Sequence, residues 1–400
     1  MNVLLITMLW PKHGEFNLYT DLMQEFMEHG NQVFVAAVNE KINKQKTFLS
    51  CEDNIQVLRV KSGNIQKNNK YCKVINSFLS GPRILFEILK YWRKQNYDLI
   101  LFSTPPITLA PCIVILKKLY HAKLYLLLKD IWPQVAVDLG AMKKRRIVWI
   151  IFRIFEKMIY KNSDYIGCMS SANVEFINKN NEYLKDKIVE VCPNSEKIRD
   201  FNVVDKEIIR GKYGLPKDKT IFVYGGNLGK AQGVDFLIDI FKYYEETVSL
   251  FFLVIGAGTE YDYLYDEINR NNYSNAKIIH WIPKSDFIDL VQSCDVGLIL
   301  LNKNSTVPNF PSRLLTYLAA KIPIIAAVDK ATDIGDIIEE AHCGEKAYNG
   351  DIYSFNIAVE KMIVSEENRK IMGQNGYKLF LEKYTTKKSY ETIIQHFTKQ

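Results

Sequence analysis

The 400 residues are too many for one ordinary core and suit two domains of roughly 150–200 residues each. At 48% hydrophobic and 24% charged, with 20 Gly and 12 Pro, the composition is globular and excludes disordered, fibrous and collagen-like chains. The net charge of +7 divides unevenly. Residues 1–200 carry 29 Lys+Arg against 19 Asp+Glu (+10), and residues 201–400 carry 23 against 26 (−3), so the basic half can meet anionic lipid, phosphorylated substrate or nucleic acid.

Met1–Ile6 lacks a basic n-region and runs into Pro11-Lys12, so it reads as a buried first strand rather than a signal peptide. Val3–Ile6, Val33–Val38, Leu99–Phe102, Leu124–Leu128 and Tyr165–Met169 are apolar runs of the kind found in strands buried on both faces. Between them Tyr19–His29, Arg83–Lys94 and Arg146–Tyr160 have helical periodicity. The polar, turn-forming stretch Pro193–Lys217 predicts the interdomain linker. The alternation restarts with strands Thr220–Tyr224, Leu250–Ile255, Asp295–Leu300 and Ile322–Val328, separated by helices near Val234–Tyr244, Tyr261–Asn271 and Ser312–Ala320. Such β-α alternation predicts an α/β fold of two Rossmann-like, doubly wound domains whose strand carboxyl ends face a central cleft. The run Ile147–Phe152 stops at Arg153, well short of the ~20 residues of a spanning helix. Seven scattered cysteines without a C-x-x-C pair, and six histidines without ligand spacing, argue against disulfides and a zinc site and for a cytosolic home.

Several stretches carry residues suited to a binding site. Gly225-Gly226-Asn227-Leu228-Gly229-Lys230 follows a strand and precedes a helix, where backbone N–H groups can approach phosphate; the alternative is an ordinary tight turn. Pro311-Ser312-Arg313 opens an amphipathic helix, with Pro311 suited to its first position. A hydroxyl and a guanidinium there would clamp a diphosphate; otherwise they are a cap and a surface arginine. Lys12-His13-Gly14-Glu15 follows the first strand, and Gly14 permits close approach of a ligand while His13 is a candidate catalytic or a plain surface residue. Asp130 ends a strand, where ligands bind, or else caps the following turn above Trp132. Glu156 reads as part of a solvated helix face. Lys143-Lys144-Arg145-Arg146 followed by Ile147–Phe155 is a basic, aromatic amphipathic segment suited to an anionic membrane surface, or an ordinary core helix with a charged start. Nucleic acid is not favoured, because the basic residues lack an interleaved aromatic pattern.

On these residues the C-terminal half resembles the nucleotide-sugar domain of family 4 glycosyltransferases with the GT-B fold. The capsule and O-antigen branch of that family is matched by Gly226–Gly233, Ile255-Gly256-Ala257-Gly258, His280-Trp281-Ile282-Pro283 and Pro311–Ala320. The N-terminal half is similar too, through Ser103-Thr104-Pro105-Pro106, Asp130-Ile131-Trp132-Pro133 with Leu139-Gly140, and Pro193-Asn194. The resemblance implies an acceptor domain over residues 1–195 plus a final helix at about 385–400 crossing back to it, and a nucleotide-sugar domain over 196–384. It implies retaining transfer of a sugar from a UDP-sugar, N-acetylated ones included, to a lipid-linked (polyprenyl diphosphate) saccharide in bacterial capsule, O-antigen or exopolysaccharide synthesis. The enzyme would be peripheral on the cytoplasmic face of the membrane, with no cofactor and no metal. Gly226, Asn227, Lys230, Ser312 and Arg313 would hold the diphosphate, Trp281 and Ile282 the base, and Gly14, Gly256 and Thr316 would complete donor binding, with Asp130 and His13 near the transferred sugar. Lys143, Lys144, Arg145 and Arg146 would face acceptor and membrane. Two departures stand out. Pro308 and Thr316 occupy the positions of the broader family's Glu-x7-Glu motif, and Gln232-Gly233 replaces a Lys-Gly. Alternatives are a nucleotide-sugar 2-epimerase of the same architecture and a catalytically silent assembly partner at the membrane.

Overall fold

A computed structural model of the protein describes residues 1–12, 14–64, 70–199 and 204–397, without the side chains of Lys70 and Tyr71. It divides into two units, Met1–Lys197 with Thr386–Gln400, and Ile198–Thr385.

The first unit runs β1 (Asn2–Thr7), α1 (Leu18–Glu28), β2 (Gln32–Glu40), β3 (Phe48–Glu52), β4 (Ile55–Ser62), α2 (Lys70–Trp92) and β5 (Leu99–Thr104). It continues through α3 (Ala110–Tyr120), β6 (Lys123–Leu128), α4 (Gln134–Asp138), α5 (Ile147–Asn162), β7 (Tyr165–Cys168), α6 (Ser171–Asn180) and β8 (Ile188–Val191). Its sheet has the order β3-β4-β2-β1-β5-β6-β7-β8, parallel except for the β3–β4 hairpin. The central strands are apolar on both faces because helices cover both; Val3 through Ile6 and Leu99 through Phe102 are fully buried.

The second unit runs α7 (Lys206–Lys212), β9 (Thr220–Asn227), α8 (Asp235–Tyr243), β10 (Leu250–Ala257), α9 (Tyr261–Asn271), β11 (Ala276–Ile279), α10 (Lys284–Ser293) and β12 (Val296–Leu300). Then follow α11 (Arg313–Ala319), β13 (Ile324–Val328), α12 (Ile334–Glu340), β14 (Gly344–Tyr348), α13 (Ile352–Ile363) and α14 (Glu366–Lys383). Its sheet, β11-β10-β9-β12-β13-β14, is parallel throughout. Both are Rossmann-like α/β sheets, as the alternation of apolar runs and helical periods requires. Each reverses direction beside its first strand, at β1/β5 and at β9/β12, and in such sheets ligands bind at the strand carboxyl ends beside that switch point.

The last helix, α15 (Thr386–Ile394), packs on the first unit. Tyr390 meets Phe26 edge-on at 4.9 Å and stacks on His29 at 4.1 Å, and Thr386 donates to the Glu25 carboxylate at 2.7 Å. It is shorter than the expected stretch at about 385–400, whose last three residues lie outside the described ones.

The expected linker is corrected by α7. This helix belongs to the second unit, because buried Arg210 donates to Asp295 at 2.7 Å, to the Ser293 carbonyl at 2.8 Å and to the Lys217 carbonyl at 3.2 Å. A charged residue in a polar stretch reads as solvent-facing, yet here a ring of acceptors buries it.

Candidate functional site

At the carboxyl edge of the second sheet the sequence-predicted loop is partly strand. β9 continues to Asn227, with Gly225, Gly226 and Asn227 paired to Ile255, Gly256 and Ala257 of β10. The reason lies in Gly256, where a Cβ would stand 1.9 Å from the Gly226 carbonyl oxygen, so only glycine lets the two strands stay together so far. Beyond the strand, Leu228 is buried, a short turn spans Lys230–Gln232, and Gly233 takes φ +57 before α8. Asn227 donates to the Gln232 side chain at 3.2 Å, and Lys230 is exposed.

Arg313 reaches this strand end from across the switch point. Its guanidinium carbon lies 4.2 Å from the centroid of the Tyr224 ring. Its Nη2 lies 3.2 Å from where a Cβ on Gly226 would be. Its Nη1 is buried without a hydrogen-bond partner. A buried guanidinium donor left unmet is costly unless a ligand completes it. Tyr317 aims this group, because one turn on from Arg313 its hydroxyl donates to the Val223 carbonyl at 3.1 Å and accepts from Gly225 N–H at 3.0 Å. Burial raises the hydroxyls of Tyr224 and Tyr317, and the charge of Arg313 opposes this in both. Tyr224 carries no signal in the sequence, whereas Tyr317 stands within the matched stretch Pro311–Ala320. The usable signal was Tyr317 spaced i,i+4 from Arg313, which places both on one helix face.

Other expectations are corrected in detail. α11 starts at Arg313, so Pro311 is not its first residue, and the exposed Ser312 side chain caps nothing because its backbone is already helical. Thr316 is half-buried on α11. Trp281, 68% exposed, and half-buried Ile282 lie between β11 and α10 on the same carboxyl edge. Gly226, Asn227, Gly256, Trp281 and Arg313 thus share one edge of one sheet.

In the first unit the β1–α1 loop is pinned from outside. Arg59 pairs with Glu52 at 2.8 Å and donates to the carbonyls of Trp10 (3.2 Å) and Pro11 (2.6 Å), while the Trp10 indole donates to Glu52 at 3.1 Å. Burial raises the Glu52 carboxyl, but hydrogen bonds from Arg59 and Ser50 and the Arg59 charge outweigh it and hold it below the usual value. Gly14 in this loop takes φ +87 with no atom within 4 Å of a Cβ position, so glycine is required by the backbone and its surroundings are open. His13 lies outside the described residues. Asp130 is half-buried beyond β6. The turn after it is closed by its carbonyl, which accepts from Trp132 N–H at 3.1 Å, in place of the capping carboxylate that the sequence allowed. Burial raises its carboxyl, and Lys129 opposes that.

Lys143, Lys144, Arg145 and Arg146 are exposed ahead of α5, and Ile147, Val148, Ile150 and Ile154 are exposed along it. The opposite face buries Phe152, Ile159 and Tyr160. Glu156 is corrected: it is 1% exposed and paired with Arg153, not part of a solvated face. No helix among the described residues is long and apolar enough to cross a membrane.

Residues 205–379, nearly the whole second unit, match the family described as Glycosyl transferases group 1. The probable glycosyltransferase WbjE of Pseudomonas aeruginosa is 24% identical over 65% of this chain and 64% of its own length. WcaI of Escherichia coli K12, provisionally assigned as a colanic acid biosynthesis glycosyl transferase, is 24% identical over 62% of this chain and 61% of its own length. The chain therefore spans under two thirds of either relative. HepE of Anabaena, crystallised with UDP, superposes with a TM-score of 0.71 over 100% of both chains at 15% identity. The fold is GT-B, and the second unit is similar to the Glycosyl transferases group 1 domain.

Proposed function

We propose that the protein transfers a sugar from a UDP-sugar to a lipid-linked saccharide during bacterial surface-polysaccharide assembly, as a retaining family 4 enzyme of the capsule and O-antigen branch. The carrying observation is the buried, unmet Nη1 of Arg313 beside Gly226 at the switch point of a glycosyltransferase domain. A donor diphosphate set there accepts from the guanidinium, and its growing charge on departure is stabilised by that cation and the Gly226–Lys230 backbone, with no metal invoked. Exposed Trp281 and half-buried Ile282, after β11 on the same carboxyl edge, bound the base. Gly14 and Asp130, which follow β1 and β6 of the first unit, would serve the acceptor. UDP in complex with HepE and the assignment of WcaI to colanic acid support donor and pathway class. The exposed basic and apolar face of α5 supports work on the cytoplasmic membrane surface.

Titrating UDP, GDP and a panel of UDP-sugars while following thermal unfolding tests this. A true donor at 100 times its Kd adds about 2.7 kcal/mol of stability. Absence of UDP binding, or conversion of the donor alone into an epimer, would overturn the reading.

A further inference from the structure

The first unit carries a cation of its own one strand beyond its switch point. Lys129 directly follows β6, at the edge where β5 and β6 end in register at Thr104 and Leu128. Its ammonium lies 4.2 Å from the centroid of the Tyr19 ring. Among the described residues no carboxylate oxygen comes within 4.0 Å of it. The neighbouring Asp130 carboxyl feels this charge, yet no ion pair among the described residues fixes the ammonium, and a cation at a strand carboxyl end, where ligands bind, can serve as an anion receptor.

The platform beneath it is rigid. The Tyr19 hydroxyl lies 2.9 Å from Ser103 Oγ, and Ser103 is buried at the end of β5. Asn17 accepts from the N–H groups of Tyr19 (2.8 Å) and Thr20 (3.0 Å), and Thr20 Oγ1 accepts from Asn17 N–H at 2.7 Å, so the first turn of α1 is locked. The ring can engage one face of the ammonium and leave N–H donors for a ligand. In the second unit Arg313 stands over Tyr224 at the same 4.2 Å. Each sheet thus sets one cation on an anchored tyrosine near the point where strand order reverses.

We propose that Lys129 is the anion receptor of the first unit and binds a phosphate or diphosphate group of the acceptor. This rests on the glycosyl-transfer reading for the acceptor's identity, though the anion site itself does not. Lys129 would act as a binding residue, and Tyr19 and Ser103 as the residues that position it.

Full-length protein saturated with UDP, which occupies the second unit, is titrated calorimetrically with inorganic diphosphate and with farnesyl diphosphate. Wild type should bind both. Lys129→Met should weaken both by about tenfold or more, as loss of a charge-assisted hydrogen bond implies, while its UDP affinity stays unchanged. Lys129→Arg should keep most of the binding, and Tyr19→Phe, which retains the ring but loses the Ser103 anchor, should lose a few-fold. Tighter binding of farnesyl diphosphate assigns the site to a lipid-linked acceptor; equal binding assigns it to a soluble phosphorylated one, and either result upholds the receptor. Diphosphate binding that is absent from UDP-saturated wild type, or unchanged in a folded Lys129→Met protein, would overturn it. If UDP itself fails to bind, the glycosyl-transfer reading falls, and the same titrations without UDP still decide the role of Lys129.

Discussion

Arg313 tests the difference between a group that holds a fold and one that holds a ligand. Its stacking on Tyr224 contributes to packing, but its buried Nη1 lacks a partner and so offsets part of that gain. Arg313→Ala should therefore change the melting temperature little while weakening UDP binding by about 10–150-fold, the range of a charge-assisted contact worth roughly 1.5–3 kcal/mol. Arg313→Lys should recover only part, because an ammonium cannot offer a fork of donors. Turnover should drop further than ground-state affinity, since leaving-group charge grows in the transition state. Calorimetric UDP titration with melting curves decides it. A folded Arg313→Ala protein of normal affinity would move the phosphate site, with exposed Lys230 the next residue to vary.

Among the elements, two positions make separate stability predictions. Gly256→Ala would drive a Cβ into the Gly226 carbonyl, prising apart the ends of β9 and β10 at a cost of at least roughly 1–3 kcal/mol. Its melting temperature should fall and UDP binding should fall with it. Glu156 makes a pH prediction, because burial, opposed by the Arg153 charge, raises its carboxyl from 4.5 to about 7. The folded state then holds the proton more tightly than the unfolded chain. Stability is fully present below about pH 4.5 and is lost as pH rises through about 7. Compared with wild type, Glu156→Gln should gain on the order of 1–3 kcal/mol between pH 5 and 8, seen as melting curves that diverge with rising pH. Parallel curves would refute the assignment. Legibility in the sequence followed the same physics. Strands buried on both faces, such as β1, β5 and β9, stood out as apolar runs, whereas β8 and β11 at sheet edges are half-exposed and offer none. The β3–β4 hairpin turns through Asp53 (φ 48) and Asn54 (φ 64), a positive-φ pair without the glycine that marks the strongest hairpin signals in a sequence. In the candidate site, glycines and Arg313 were legible from local spacing. Tyr224, Tyr19 and Arg59 were not, because each acts through a neighbour distant in sequence.

At the scale of the whole molecule, the charge asymmetry of the chain becomes a surface. Ile147, Val148, Ile150 and Ile154 on α5 are exposed directly after the exposed run Lys143–Arg146. α2 adds exposed Val74, Ile75 and Leu79, and its Phe78 ring meets Phe152 at 6.0 Å and Phe155 at 5.7 Å, so the two helices adjoin through an aromatic seam. A face this apolar is unusual on a soluble surface and marks an interaction site. Basic residues at such a border would select anionic lipid, at about 1 kcal/mol each near the headgroups. We predict binding to vesicles containing phosphatidylglycerol that weakens as salt rises from 0.1 to 1 M and the Debye length falls from ~10 to ~3 Å. Replacing Lys143, Lys144, Arg145 and Arg146 by Gln should reduce low-salt binding at least tenfold by the same arithmetic. Ile75→Ser with Ile147→Ser should instead remove the part that survives high salt, because that part comes from apolar burial. Co-sedimentation across the salt series separates the two contributions. Equal binding to neutral and anionic vesicles, or binding that ignores all six substitutions, would show that the α2–α5 face does not meet the membrane.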